Sequence, residues 1–164
     1  MILVALGANL PSPTGSPATT LACALGSMAA HGIRVRKVSA YYSTPAWPDP
    51  AAPPFVNAVA RIDTPLGPAA LLAALHAIEA KFGRERSAAN APRTLDLDLI
   101  DYDGRIEAGP PVLPHPRLPE RAFVLVPLKD VAPDWRHTQS GKSVGDLLEA
   151  IPATDRDAVR CIAP

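Results

Sequence analysis

Thr94-Leu95-Asp96-Leu97-Asp98-Leu99-Ile100-Asp101-Tyr102 alternates apolar and polar side chains through Leu99 and runs into Asp103-Gly104. A period of two marks a strand, because successive side chains point to opposite faces. Leu95, Leu97 and Leu99 therefore share a face turned to a core, while Asp96 and Asp98 share the other. Asp103-Gly104 predicts a hairpin turn after the strand. Working back from residues 94–102, Leu71, Leu75, Ile78 and Phe82 fall on one face of a helix closed by Gly83. Residues 55–63 alternate as another strand, and residues 33–43, rich in Val and Tyr, read as its partner. Between them, residues 44–54 carry five prolines and Trp47, which predicts a long semi-rigid loop. Ser16-Pro17 opens a first helix, with Leu21, Leu25 and Met28 at helical spacing until Gly32. Residues 2–6 read as a short buried strand ended by Gly7.

The resulting order, β-α-β-β-α-β, predicts an α+β fold of the ferredoxin-like type: an antiparallel sheet with helices packed on one face. A Pro-rich C-terminal extension with a short helix at residues 144–151 completes one expected domain spanning 1–164. Sixteen basic and sixteen acidic residues cancel, which argues against a nucleic-acid or polybasic membrane partner. Hydrophobic residues at 48% and charged residues at 20% suffice for a normal core. The only two cysteines, Cys23 and Cys161, give neither a disulfide framework nor a metal knot. Cys23 falls on the apolar stripe of the first helix and is expected to be buried and inert. The N-terminus lacks a basic n-region and a long enough apolar run for an export leader, and no run approaches the ~18 residues of a membrane span. The expected compartment is a reducing cytoplasm, and the expected state a monomer.

Two carboxylates about 6–7 Å apart on one strand face repel by roughly 2 kcal/mol at an effective dielectric near 20. A cation between Asp96 and Asp98 relieves that repulsion, and hard oxygen ligands without His or Cys suit Mg²⁺. The alternative for a bare Asp-x-Asp is an edge strand with a solvated polar face. A calcium loop does not fit, because Pro110 stands where the bidentate Glu belongs. Arg84 and Arg86 follow the second helix, Arg93 precedes Asp96 by three, and His115, Arg117 and Arg121 form a second basic cluster. Guanidinium forks match phosphate oxygens, so acids interleaved with arginines suit phosphoryl transfer. Salt bridges with Glu79, Glu85 and Glu120 are the competing reading, and Arg86 and Arg117 taken singly read as surface. No Walker loop is present. The residues alone reach Mg²⁺ and a polyphosphate such as ATP, with no acceptor identified.

Ala91-Pro92-Arg93-Thr94-Leu95-Asp96-Leu97-Asp98-Leu99-Ile100 closely resembles the signature of the 6-hydroxymethyl-7,8-dihydropterin pyrophosphokinase family. Further matches follow in order: Leu6-Gly7-Ala8-Asn9-Leu10, Tyr42-Ser43-Thr44-Pro45, Pro54-Phe55-Val56-Asn57-Ala58, Ile78-Glu79 with Gly83-Arg84-x-Arg86, and Leu113-Pro114-His115-Pro116-Arg117 with Arg121-Ala122-Phe123. The resemblance implies transfer of pyrophosphate from ATP to the pterin hydroxymethyl group, with release of AMP, in folate biosynthesis. It implies that Asp96 and Asp98 hold two Mg²⁺ ions, and that Arg84 and Arg93 stabilise phosphate charge. On the ATP side it places Glu79, Arg86, Leu99, His115 and Arg121 beside those arginines. For the pterin it implies Asn57 on the amide edge, Phe55 and Phe123 on the two ring faces, and Thr44 and Pro45 completing recognition. Phe55 and Asn57 lie two apart and so share a strand face. Taken without the resemblance, Phe55 and Phe123 read as core residues and His115 as a loop histidine.

Many family members carry an arginine and an aromatic where this chain has Ala89 and Asn90. The small loop at residues 88–91 is then expected to close over substrate with fewer contacts, and Trp47 to act as a stacking lid. Because water must be excluded before transfer, the loops at residues 84–90 and 44–54 are expected to move. Two rivals stay open here: a Mg²⁺-dependent nucleotide phosphohydrolase that uses water as acceptor, and a non-catalytic binding module of the same fold.

Overall fold

The computed structural model describes residues 1–84 and 92–162. It contains β1 (Ile2–Ala8), α1 (Pro17–Ser27), β2 (Arg34–Val38), β3 (Tyr42–Thr44), β4 (Phe55–Asp63), α2 (Pro68–Lys81), β5 (Asp96–Tyr102), α3 (Ala122–Val131), α4 (Val144–Ala150), α5 (Ala153–Asp157) and β6 (Arg160–Cys161). Six strands form one sheet in the order β5-β1-β4-β3-β6, with β2 also beside β4. Every pairing between these strands is antiparallel, and the chain is α+β.

Local chemistry accounts for the ends of several elements. The Ser16 hydroxyl accepts the Thr19 N–H at 3.3 Å and Pro17 fills the first helical position of α1, where a missing N–H costs nothing. Gly32 stops the following 3-10 turn at φ 73°, a conformation that suits a residue without Cβ. The strand expected at residues 33–43 divides at Ser39, whose N–H donates to the Val59 carbonyl and whose hydroxyl accepts the Val59 N–H. That local exchange interrupts the regular ladder, and β2 and β3 run on either side of it along β4.

Two hydrophobic layers flank the sheet. On one side Val4, Leu6, Ala58, Ala60, Leu95, Leu97 and Leu99 pack with Leu21 and Met28 and with Leu71, Leu75 and Ile78 of α2. On the other, Leu3, Val59 and Ile100 pack with Val124, Leu125 and Leu128 of α3 and Leu147 of α4. Each of the larger of these side chains (Leu, Ile, Val, Met), fully buried, contributes about 1.5–3 kcal/mol. The expectation of helices on one face is therefore corrected: α3 covers the opposite face from α1 and α2. Residues 122–131, part of the expected Pro-rich extension, form a helix with Pro127 inside it, which removes one backbone donor. Burial of both helix and sheet outweighs that loss.

Two further expectations change. The pairing of β1 with β5 shifts register between Leu3 and Val4, so Ile100 and Asp101 both turn toward α3 and α4. There the buried Asp101 carboxylate accepts the Trp135 indole N–H at 2.5 Å. Asp103 and Gly104 do form a turn at φ 51° and 67°, closed by Arg105 N–H on the Tyr102 carbonyl, but no paired strand follows it. Cys23, expected to be buried, is exposed, as is Cys161: α1 turns Leu21 and Ala24 inward and Cys23 outward. Among the described residues no helix is long and apolar enough to cross a membrane.

Candidate active site

Along β1, odd-numbered side chains face α3 and shrink in order: Leu3, Ala5, Gly7. Their cross-strand partners on the same face are Asp101, Asp98 and Asp96 of β5 on one side and Val59 and Asn57 of β4 on the other. The face thus changes over four residues from packed apolar core to an open row of Asp96, Gly7 and Asn57. A Cβ at Gly7 would meet Asn57 Oδ1 at 3.2 Å and approach Phe55 and Asp96 at 3.9 and 4.0 Å. Gly7 therefore forms a floor that any larger residue would raise.

Above that floor lies a cavity of about 600 Å³. That size lies within the range of small-molecule sites. Its lining includes Thr44, Pro45, Trp47, Phe55, Asn57, Arg93, Asp96, Asp98, Arg121 and Phe123, so ten sequence-predicted residues converge on one volume. Asn57 is buried and donates from Nδ2 to Thr44 Oγ1 at 2.8 Å, which fixes the amide plane. Phe123 and Trp47 are exposed, Trp47 at 69%, and both are free to meet a ligand at the mouth.

The charged groups are tightly interlocked. Asp96 accepts Arg84 Nη1 at Oδ1 and Arg93 Nη1 at Oδ2, each at 2.6 Å. Arg84 also donates to the Leu95 carbonyl at 2.7 Å and lies 3.6 Å from Glu79 Oε1. The buried Glu79 carboxylate in turn accepts the Leu97 N–H at 2.7 Å, tying α2 to β5. Asp98 accepts Arg121 Nη1 at 3.1 Å, and the Arg121 guanidinium lies over the Phe123 ring at 5.6 Å. Arg121 Nε is buried with no partner among the described residues. Among the described residues these ion pairs form two groups, Glu79–Arg84–Asp96–Arg93 and Asp98–Arg121, in each of which the formal charges balance.

Arg84, Glu79, Leu99 and His115 stand outside the cavity lining. Arg84 and Glu79 act from behind Asp96, and Leu99 is buried on the opposite face of β5, the outer strand of the sheet. His115 Nδ1 accepts the Arg117 backbone N–H at 3.2 Å, which leaves the proton of the neutral ring on Nε2. Burial pushes the His115 imidazole below the usual histidine value; Asp98 opposes this, and Arg121 and Arg117 reinforce it. Arg86 lies outside the described residues, as does the loop of residues 88–91. Gly7, Arg117, Glu120, Asp155 and Val159 are among the lining residues outside the sequence-predicted set. A glycine after an apolar strand run could have signalled the floor. No sequence pattern placed residues 155–159 beside residue 44, because β6 returns to β3 only in the folded sheet.

Among the described residues no group of three or more His, Cys, Asp or Glu side chains could enclose a metal ion. Two carboxylate donors without nitrogen or sulfur nonetheless fit Mg²⁺, which keeps several waters and takes its remaining oxygens from substrate phosphates.

The chain is similar to known proteins over most of its length. A family model for 7,8-dihydro-6-hydroxymethylpterin-pyrophosphokinase matches residues 3–133. A Synechocystis 2-amino-4-hydroxy-6-hydroxymethyldihydropteridine pyrophosphokinase is 40% identical over 99% of this chain and 80% of its own length. Proteins of the same name from Methylorubrum extorquens (45%, over 79% of this chain and 80% of that protein) and Pseudomonas aeruginosa (40%, over 92% and 91%) are also similar. The chain belongs to the 7,8-dihydro-6-hydroxymethylpterin-pyrophosphokinase family.

Proposed function

We propose that this protein transfers pyrophosphate from ATP to 6-hydroxymethyl-7,8-dihydropterin, giving the pterin diphosphate and AMP in folate biosynthesis. The observation that carries this reading is the shared cavity: Asp96, Asp98, Arg93 and Arg121 line the same volume as Asn57, Phe55 and Phe123. A polyphosphate and a flat polar heterocycle thus have adjoining seats.

In this reading Phe55 and Phe123 hold the pterin between ring faces, and Asn57, its plane fixed by Thr44, meets the amide edge with one donor and one acceptor. Pro45 bounds the slot, and Trp47 closes over it as a lid. The pterin hydroxymethyl group then points toward Asp96 and Asp98. Those carboxylates are the ligands for Mg²⁺, two ions in our reading. When bound, the metal neutralises phosphate charge and lowers the pKa of the attacking hydroxyl. Arg84, Arg93 and Arg121 exchange partners on substrate binding, from carboxylate to phosphate oxygens, and stabilise charge developing on the transferred group. Because Asp96 and Asp98 already face guanidiniums, a polyphosphate that draws those arginines away leaves the carboxylates uncompensated, which favours entry together with divalent cations. His115 donates from Nε2 on the ATP side, joined by Arg86; Leu99, whose side chain is buried in the opposite layer, reaches that side only through its backbone, and Glu79 shapes the pocket through Arg84.

The strand order supports the ferredoxin-like reading with a Pro-rich C-terminal extension, in one domain over 1–164. A zero net charge supports small molecules rather than nucleic acid as partners, and we read the chain as a monomer. The cytoplasm, where ATP and reduced pterins occur, is the compartment this chemistry suits. Incubation with ATP, Mg²⁺ and 6-hydroxymethyl-7,8-dihydropterin is expected to release AMP in step with pterin diphosphate. ADP or phosphate released without the pterin would support hydrolysis instead.

A further inference from the structure

Asn9 belongs to a sequence motif but lines no part of the cavity, and it is only 2% exposed. It leaves β1 two residues beyond the Gly7 floor. Both ends of its side chain are engaged: Oδ1 accepts the Arg93 backbone N–H at 2.8 Å, and Nδ2 donates to the Pro53 carbonyl at 3.1 Å. Its own backbone N–H donates to the Arg93 carbonyl at 3.1 Å, and the Leu10 N–H joins it at 3.2 Å. Arg93 is thereby held at both its backbone N–H and its carbonyl, and its guanidinium reaches Asp96. Pro53 stands two residues before Phe55 and four before Asn57.

We propose that Asn9 is a positioning residue that sets the phosphate-side Arg93 and the heterocycle-side Phe55 segment against each other through one side-chain amide. The proposal rests on the pterin pyrophosphokinase reading. Both partners of the side chain are backbone groups, so no change of side chain at 53 or 93 can substitute for it. One must be met by an acceptor and the other by a donor, and a planar amide supplies both at once. Aspartate keeps the acceptor for Arg93 but turns a second oxygen toward the Pro53 carbonyl. Alanine loses both contacts, while the backbone bonds from residues 9 and 10 to the Arg93 carbonyl persist.

The test is steady-state AMP release with ATP and pterin varied separately. Asn9→Ala is expected to lower kcat by on the order of 10- to 100-fold and to raise the pterin KM about 10-fold, as sub-ångström misplacement of reacting groups does. Asn9→Asp is expected to keep kcat within about 3-fold of the parent while sharing the raised pterin KM. In an Arg93→Ala background, Asn9→Ala is expected to change kcat by less than about 2-fold, because it acts through Arg93. A folded Asn9→Ala protein with parental kcat and KM overturns the proposal, and so does full additivity with Arg93→Ala. If Asn9→Ala does not fold, the separation of kcat from pterin KM in Asn9→Asp decides, and equal damage to both overturns it. Failure of the parent protein itself to release AMP with the pterin would sink the assigned reaction instead.

Discussion

The two faces of β1 share a backbone and differ in almost everything else. Ile2, Val4, Leu6 and Ala8 face one way, into a layer closed by α1 and α2. Leu3, Ala5 and Gly7 face the other, and their decreasing bulk opens the space that Asp96, Asp98 and Asn57 surround. The comparison separates stability from chemistry on a scale of one residue: even positions hold the sheet together, and odd positions progressively release volume to the site.

Substitutions on the two faces should therefore fail in different ways. The largest effect is expected from Asp98→Asn, which on the proposed reading removes a metal-binding charge worth several kcal/mol in the transition state and should reduce turnover about 10³-fold. Its thermal melt should stay within a few degrees of the parent; a large fall in Tm would show that Asp98 serves the fold. Leu75→Ala, in the opposite layer, is expected to cost about 2–5 kcal/mol in urea unfolding while the folded protein keeps its kcat and KM. Gly7→Ala sharpens the comparison, because its Cβ enters the cavity with Asn57 Oδ1 at 3.2 Å. We expect the pterin KM to rise about 10-fold with little loss of Tm. Trp47→Ala, at the exposed mouth, should raise the pterin KM only a few-fold, on the scale of one stacking contact.

The smallest effect concerns pH. Burial depresses the imidazole of His137, with Asp101 opposing, from the ordinary value of 6.5. The folded state then binds fewer protons than the unfolded chain below that value. Its contribution to stability is complete above pH 6.5 and is lost as pH falls toward the depressed folded value. Denaturant midpoints measured from pH 7.5 to 5 should decline for the parent and decline less steeply for His137→Asn. Identical slopes would remove His137 from the account.

The legible parts of this molecule were those encoded by local period. Asp96 and Asp98 against Leu95, Leu97 and Leu99 announced both the strand and its two environments, and Leu71, Leu75 and Ile78 announced α2. What escaped required knowledge of distant neighbours. Pro127 argues locally against a helix, and only the burial of Val124, Leu125 and Leu128 against the sheet overrides it. By strict alternation Asp101 would share the leucine face, and only the register shift between Leu3 and Val4 turns it to the side of Asp96 and Asp98, where it meets Trp135. Arg117 belongs to the basic cluster with His115 and Arg121 yet taken singly reads as surface, and the wall contributed by Asp155 and Val159 depends on β6 docking beside β3.

The central position of β1 also bears on how the molecule assembles. Gly7 finds its two neighbours roughly fifty and ninety residues along the chain, at Asn57 and Asp96. Chain closure over such distances must precede the reward of pairing, which slows folding relative to a helical bundle of equal length. Catalytic competence is therefore among the last properties gained during refolding: helices can form early and report by circular dichroism while the acceptor pocket does not yet exist.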